Sequence, residues 1–136
     1  MIVVDTNVLL YCCIPGARNQ EAWALLESDP EWAAPVLWRS EFRNVLAGRI
    51  RRGEAAREDA EKTVAYASTL LRGGEHQVSD DFVFDLIAAS RCTAYDCEFV
   101  ALARALDTVL VTEDKALLNA FPKLCRSLVN AGKRKR

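Results

Sequence analysis

Apolar and polar positions change period several times along the chain. Met1 to Val4 is a short run rich in β-branched residues and predicts a buried strand. It ends at Asp5-Thr6-Asn7, three good helix-capping residues. Helical segments are expected next, one opening near Asn19 and covering Glu21 to Glu27. Trp32-Ala33-Ala34 reads as a short strand. From Pro35 to Arg52 the pattern is helical, with Pro35 at a first-turn position and Gly53 after Arg49, Arg51 and Arg52 as a stop signal. Glu54 to Leu71 predicts another helix, ended by Gly73-Gly74, and Glu75 to Val78 a strand. Ser79 caps a helix through Phe82, Leu86 and Ile87. Thr93 caps the next, whose apolar stripe is Phe99, Val100, Ala103 and Leu106. Val109-Leu110-Val111 is a second buried strand, followed by Thr112-Glu113-Asp114 and a helix through Leu117 and Leu118. Ser127-Leu128-Val129 reads as a last strand. Strands alternating with helices imply an α/β fold with a parallel sheet and helices on both faces. Ligands in such sheets bind beyond the carboxyl ends of the strands.

At 136 residues the chain fits one domain that can bury a core without disulfides. The organisation expected is a domain over 1–131 and a basic tail over 132–136. With 51% hydrophobic and 27% charged residues the composition is ordinary globular, and a net charge of -1 excludes a polycation. The five cysteines have no Cys-x-x-Cys spacing, and no signal peptide is evident, which predicts a reducing, cytoplasmic setting. The longest apolar stretch, Val8 to Ile14, is far too short to span a bilayer. His76 is the only histidine, so neither a zinc site nor a Ser–His–Asp triad has supporting spacing.

Four carboxylates stand out. Asp5 follows the first strand and Asp114 follows the Val109–Val111 strand, at the ends where sites form; either one alone reads equally as a helix cap. Glu41 lies four residues from both Leu37 and Val45, which puts it on their side of the helix. A buried, unpaired acid there costs several kcal/mol, so an ion pair, with Arg43 or a distant base, or a metal cation must satisfy it. Asp96 precedes Phe99, Val100 and Ala103 by three, four and seven residues, at the head of the inward stripe; it also suits a capping box with Thr93. Glu98, two residues on, is expected to point away and be solvated. Carboxylates about 4 Å apart repel by roughly 4 kcal/mol at an intermediate dielectric. Four converging acids therefore need a counter-charge, and hard oxygen donors without histidine suit Mg²⁺ or Mn²⁺.

These residues resemble a known family. Val3-Val4-Asp5-Thr6-Asn7-Val8-Leu9-Leu10, Ser40-Glu41-Phe42-Arg43-Asn44-Val45-Leu46, Thr93-Ala94-Tyr95-Asp96-Cys97-Glu98-Phe99-Val100-Ala101-Leu102-Ala103 and Leu110-Val111-Thr112-Glu113-Asp114, in that order and spacing, are similar to the PIN domain. The form of the third segment is most similar to VapC-type toxins of bacterial type II toxin–antitoxin pairs. The resemblance implies a three-layer α/β/α sandwich, a magnesium-dependent ribonuclease acting on RNA, a homodimer and an antitoxin partner. It implies Asp5, Glu41 and Asp96 as core acids, Asp114 as a fourth with Glu113 beside it, and Thr6, Asn7 and Thr112 as supports. The antitoxin is expected to place a basic residue at the acids and to cover apolar surface around Trp23, Trp38 and Phe42.

Two other functions fit parts of the pattern. An aspartate-based phosphatase or phosphate-accepting domain uses strand-end aspartates, but Asp5 is followed by Thr6-Asn7 with no second acid. A non-catalytic binding domain of the same fold is the other, against which all four acids are present. Local readings suffice elsewhere: Arg49, Arg51 and Arg52 suit the negative end of a helix, Lys133-Arg134-Lys135-Arg136 suits a solubilising end, and Cys12 and Cys13 suit apolar packing.

Overall fold

The computed structural model describes residues 1–133. Five strands form one parallel sheet: β1 (Ile2–Val4), β2 (Trp32–Pro35), β3 (Glu75–His76), β4 (Leu110–Val111) and β5 (Cys125–Arg126), in the order β3-β2-β1-β4-β5. The helices are α1 (Thr6–Cys13), α2 (Asn19–Ser28), α3 (Trp38–Arg51), α4 (Arg57–Leu70), α5 (Asp80–Ala88), α6 (Ala94–Ala105), α7 (Lys115–Ala120) and α8 (Leu128–Lys133). They flank the sheet to give the expected three-layer α/β/α sandwich. α6 lies on β1, β2 and β4 and carries α5, while α1 packs on α2, α3 and α4.

The central strands are buried on both faces, which is why Ile2-Val3-Val4 and Leu110-Val111 read as unbroken apolar runs. β1 pairs with β2 on one side and β4 on the other. The strand order reverses there, so the carboxyl ends of β1 and β4 flank the switch point where such sheets bind ligands.

Two elements differ from expectation. Pro35 belongs to β2, not to a helix, because pairing continues past it: the Val36 N–H donates to His76 O at 3.0 Å, and α3 starts only at Trp38. Ser127-Leu128-Val129 is not a strand. Cys125-Arg126 takes the edge position, and α8 opens on the Ser127 hydroxyl, which accepts from Asn130 N, and on Glu113, which accepts from Leu128 N at 2.8 Å. The helix expected from Glu54 begins at Arg57, because α3 closes on Gly53 at φ 73 with Glu54 N bonded back to Arg49 O. Of the basic end at 132–136, residues through Lys133 continue α8 and the rest lie outside the described residues. Among the described residues no helix is long and apolar enough to cross a membrane.

Candidate active site

Asp5 is the N-cap of α1 and stands at the end of β1, its N–H held by Val111 O of β4. Its two carboxylate oxygens have separate donors. Oδ1 accepts the Thr6 N–H at 2.8 Å and Oδ2 accepts the Thr112 hydroxyl at 2.6 Å. The hydroxyl oxygen of Thr112 also accepts the Asp114 N–H at 3.1 Å, so this fully buried side chain links the ends of β1 and β4. Asp114 is the N-cap of α7, where Oδ1 accepts from Leu117 N and Oδ2 takes no hydrogen bond among the described residues. Thr6, also buried, donates its hydroxyl to Glu41 Oε1 at 2.7 Å. Thr6 and Thr112 are thus hydrogen-bonded to Glu41 and Asp5 respectively. Asn7 is exposed on α1 and takes no part in these bonds.

Glu41 is not on the core stripe of α3, which is Trp38, Phe42 and Leu46. Val45, on its own side, is 39% exposed. Glu41 lies instead on the half-buried flank, and its partner is Thr6 rather than Arg43. Asp96 sits in the first turn of α6 and donates its N–H to the Thr93 hydroxyl, while Phe99, Val100 and Ala103 are fully buried beneath it. Capping and an inward position coexist in this residue.

The electrostatics show that the acids share one environment. The Asp5 carboxyl is raised to about 6, chiefly by burial and with smaller contributions from Asp96 and Glu41, against hydrogen bonds from Thr112 and Thr6 that lower it. Glu41 is raised by burial and by Asp96, and Asp96 by burial and by Asp114. Among the described residues none of the four forms an ion pair with lysine, arginine or histidine. An excess of repelling, partly desolvated hard donors without a basic partner fits a divalent cation. No preformed cage of three or more His, Cys, Asp or Glu ligands exists among the described residues.

One neighbour differs from the sequence reading, and the structure gives a second, Glu113, partners of its own. Glu98 is half-buried rather than solvated, and its carboxyl is raised by burial and by Glu41. Helical phase on α6 alone could not reveal this, because the second acid comes from α3. Glu113 is engaged away from the cluster: it accepts from Arg18 Nη2 at 3.1 Å and caps α8 through Leu128 N. Of this pair, Asp114 is the acid whose charge raises the Asp96 carboxyl. Among the tryptophans, Trp32 and Trp38 are core, and Trp38 and Phe42 are fully buried, so neither offers surface to a partner. Trp23 is 50% exposed.

A parallel sheet in this order, with acids gathered at its switch point, defines an α/β domain built around an anionic site. The chain belongs to the PIN domain family, which matches residues 2–123. Ribonuclease VapC3 of Pyrobaculum aerophilum is 28% identical over 127 residues, covering 90% of this chain and 96% of that protein. The crystal structure of FitAcB from Neisseria gonorrhoeae has the same fold, with a TM-score of 0.66 at 17% identity, over 95% of this chain and 99% of that one.

Proposed function

We propose that the protein is a divalent-metal-dependent endoribonuclease and the toxin of a type II toxin–antitoxin pair. The observation that carries this is the state of Asp5, Glu41 and Asp96: each is raised by burial and by another acid, with no basic side chain paired to any of them. The likeness to a named ribonuclease supplies the substrate class.

Asp5, Glu41, Asp96 and Asp114 are the residues that would hold Mg²⁺ or Mn²⁺. Such an ion, when bound, acidifies a water and offsets the charge that develops on a phosphodiester during hydrolysis. The chain's own contribution is orientation. Thr112 and the Thr6 N–H fix the plane of the Asp5 carboxylate, and each of its oxygens retains a lone pair for a further contact. Thr6 fixes Glu41 in the same way, so one β1–α1 junction sets two acids.

The antitoxin partner is expected to silence the site with an arginine, whose planar fork binds carboxylates and stays charged. Apolar surface for the rest of it is present between α3 and α4, where Leu46, Ile50, Ala60 and Val64 line an open groove. Exposed Phe84 and Tyr95, on the packed pair α5 and α6, suit a homodimer contact. Five free thiols and an RNA substrate suit the cytoplasm. Growth tests the function as a whole. Expressing the wild type should arrest a bacterial host, Asp96→Asn should not, and the product of an adjacent small gene should bind the toxin and relieve the arrest. A wild type that harms no host, and a neighbour that does not bind, would contradict the toxin assignment.

A further inference from the structure

The α3 face that carries Glu41 continues beyond it. Val45, Arg49 and Arg52 follow at four, eight and eleven residues, which keeps them on one side over roughly 16 Å of helix. Across the groove on α1 stand Asn7, exposed and directly after Asp5 and Thr6, and Tyr11, half-buried and four residues further on. Together with Arg18 these residues line a groove that includes none of the four acids, but Asn7 stands two residues after Asp5 and Val45 one helical turn after Glu41. Its charged lining consists of three arginines, Arg18, Arg49 and Arg52. Their carboxylate partners, Glu21, Glu54 and Glu113, stand outside the lining.

The three arginines are held differently. Arg18 is fixed by two carboxylates and by the ring of Tyr11, 5.1 Å from its guanidinium carbon. Arg49 and Arg52 share one carboxylate, that of Glu54, which is 43% exposed. Two guanidiniums on one exposed acid leave a positive charge in excess at the Arg49–Arg52 end, whereas Arg18 is outnumbered by its two carboxylates, and exposed ion pairs of the Glu54 kind are weak. Gly48, inside the helix, leaves room for this arrangement: a Cβ there would meet Arg52 Nη1 at 3.0 Å. The helix dipole suits Arg49, Arg51 and Arg52 alike, and of these only Arg49 and Arg52 line the groove.

We propose that this groove seats the backbone of single-stranded RNA on one side of the cleaved bond, with Arg49 and Arg52 exchanging Glu54 for phosphates. The inference rests on the ribonuclease reading above and states where the substrate lies. RNA fits better than an acidic protein segment because one helix face joins the arginines to Glu41, so a strand bound along it runs directly into the acids. The length suits a few nucleotides, and the apolar floor at Val45 suits bases or riboses rather than a second charge.

The test is fluorescence anisotropy with a labelled, mixed-sequence single-stranded RNA and Mg²⁺, all proteins carrying Asp96→Asn so that the RNA stays whole. Arg49→Gln with Arg52→Gln should weaken binding about tenfold or more, and should flatten the plot of log affinity against log salt by about 1.4, or 0.7 per lost phosphate contact. Arg49→Lys with Arg52→Lys should keep most of the slope. Glu54→Gln should tighten binding several-fold. Without Asp96→Asn, the double glutamine variant should raise KM while kcat holds. If the wild type cleaves RNA but the double variant binds it with unchanged affinity and slope, the groove assignment fails and the nuclease reading stands. If the wild type neither binds nor cleaves RNA, the nuclease reading fails first. Unchanged RNA binding with lost affinity for a polyglutamate peptide would make the groove a protein-docking site and overturn the proposal. Should thermal melts show the double variant unfolded, Glu54→Gln decides alone, and unchanged affinity there overturns the proposal.

Discussion

The Thr112 hydroxyl donates to Asp5 Oδ2 at 2.6 Å while its oxygen accepts the Asp114 N–H at 3.1 Å. One buried side chain therefore sets the rotamer of an acid on β1 and the backbone of an acid after β4. Thr112→Val keeps the shape and removes both bonds. The fold should survive with a loss of about 1–3 kcal/mol, the cost of leaving a buried acceptor without its donor. The Asp5 carboxyl should rise further, because the hydrogen bond that lowers it is gone. Thermal melts and a pH–rate profile check this, with the acid limb expected to move to higher pH.

Burial holds the Asp5 carboxyl at about 6 against an ordinary 3.8. An acid raised in the folded state favours folding while it is protonated. That contribution is complete below the unfolded value and is lost as pH rises through the folded one. At neutral pH the metal-free wild type should thus be less stable than Asp5→Asn, by up to about 3 kcal/mol. The gap should close towards pH 4 and should also shrink in Mg²⁺, which relieves the repulsion. Denaturant melts across pH, with and without metal, measure it. A gap that widens on acidification would reverse the sign of the argument.

Asp96 and Glu98 differ in degree rather than in kind. Asp96→Asn should lose more activity than the roughly 10–100-fold typical of supporting residues. Glu98→Gln should lose less, and should stabilise the metal-free protein, because its carboxyl is raised by burial and by Glu41. Steady-state kinetics and melts on the two single variants separate them. Equal inactivation would make Glu98 a ligand of equal rank.

Glu113 and Asp114 should part in the opposite readouts. Glu113 ties Arg18 and the start of α8 to the β4 end, so Glu113→Gln should lower the melting temperature with modest loss of cleavage. Asp114→Asn should lower activity and the stabilisation given by Mg²⁺, with less effect on the metal-free melt. Scanning calorimetry with and without Mg²⁺ distinguishes the two.

What was legible in the sequence follows from the range of the forces involved. β1 and β4 show as apolar runs because both faces are covered, and Thr93 and Asp114 announce helices because capping is local. Asp5 and Asp114 could be placed at strand ends for the same reason. Pro35 misled because its tie is to β3, forty residues away in sequence and settled by the Val36–His76 bond. Ser127 to Val129 misled because a two-residue strand has no period to read, and because the cap of α8 is completed by Glu113 from another loop. The phase of Glu98 is visible on its own helix, but its neighbour Glu41 belongs to a different one, so the burial of Glu98 is not. The pairing of Arg49 and Arg52 on a single carboxylate likewise depends on the turn at Gly53, which brings Glu54 back to them.

The most direct measurement is cleavage of a labelled single-stranded RNA by the purified chain. The account predicts cutting in Mg²⁺ or Mn²⁺, its loss on exhaustive chelation, its return when the metal is restored, and silence of Asp96→Asn in every condition. Cutting that survives chelation, or Asp96→Asn working at the wild-type rate, would contradict it.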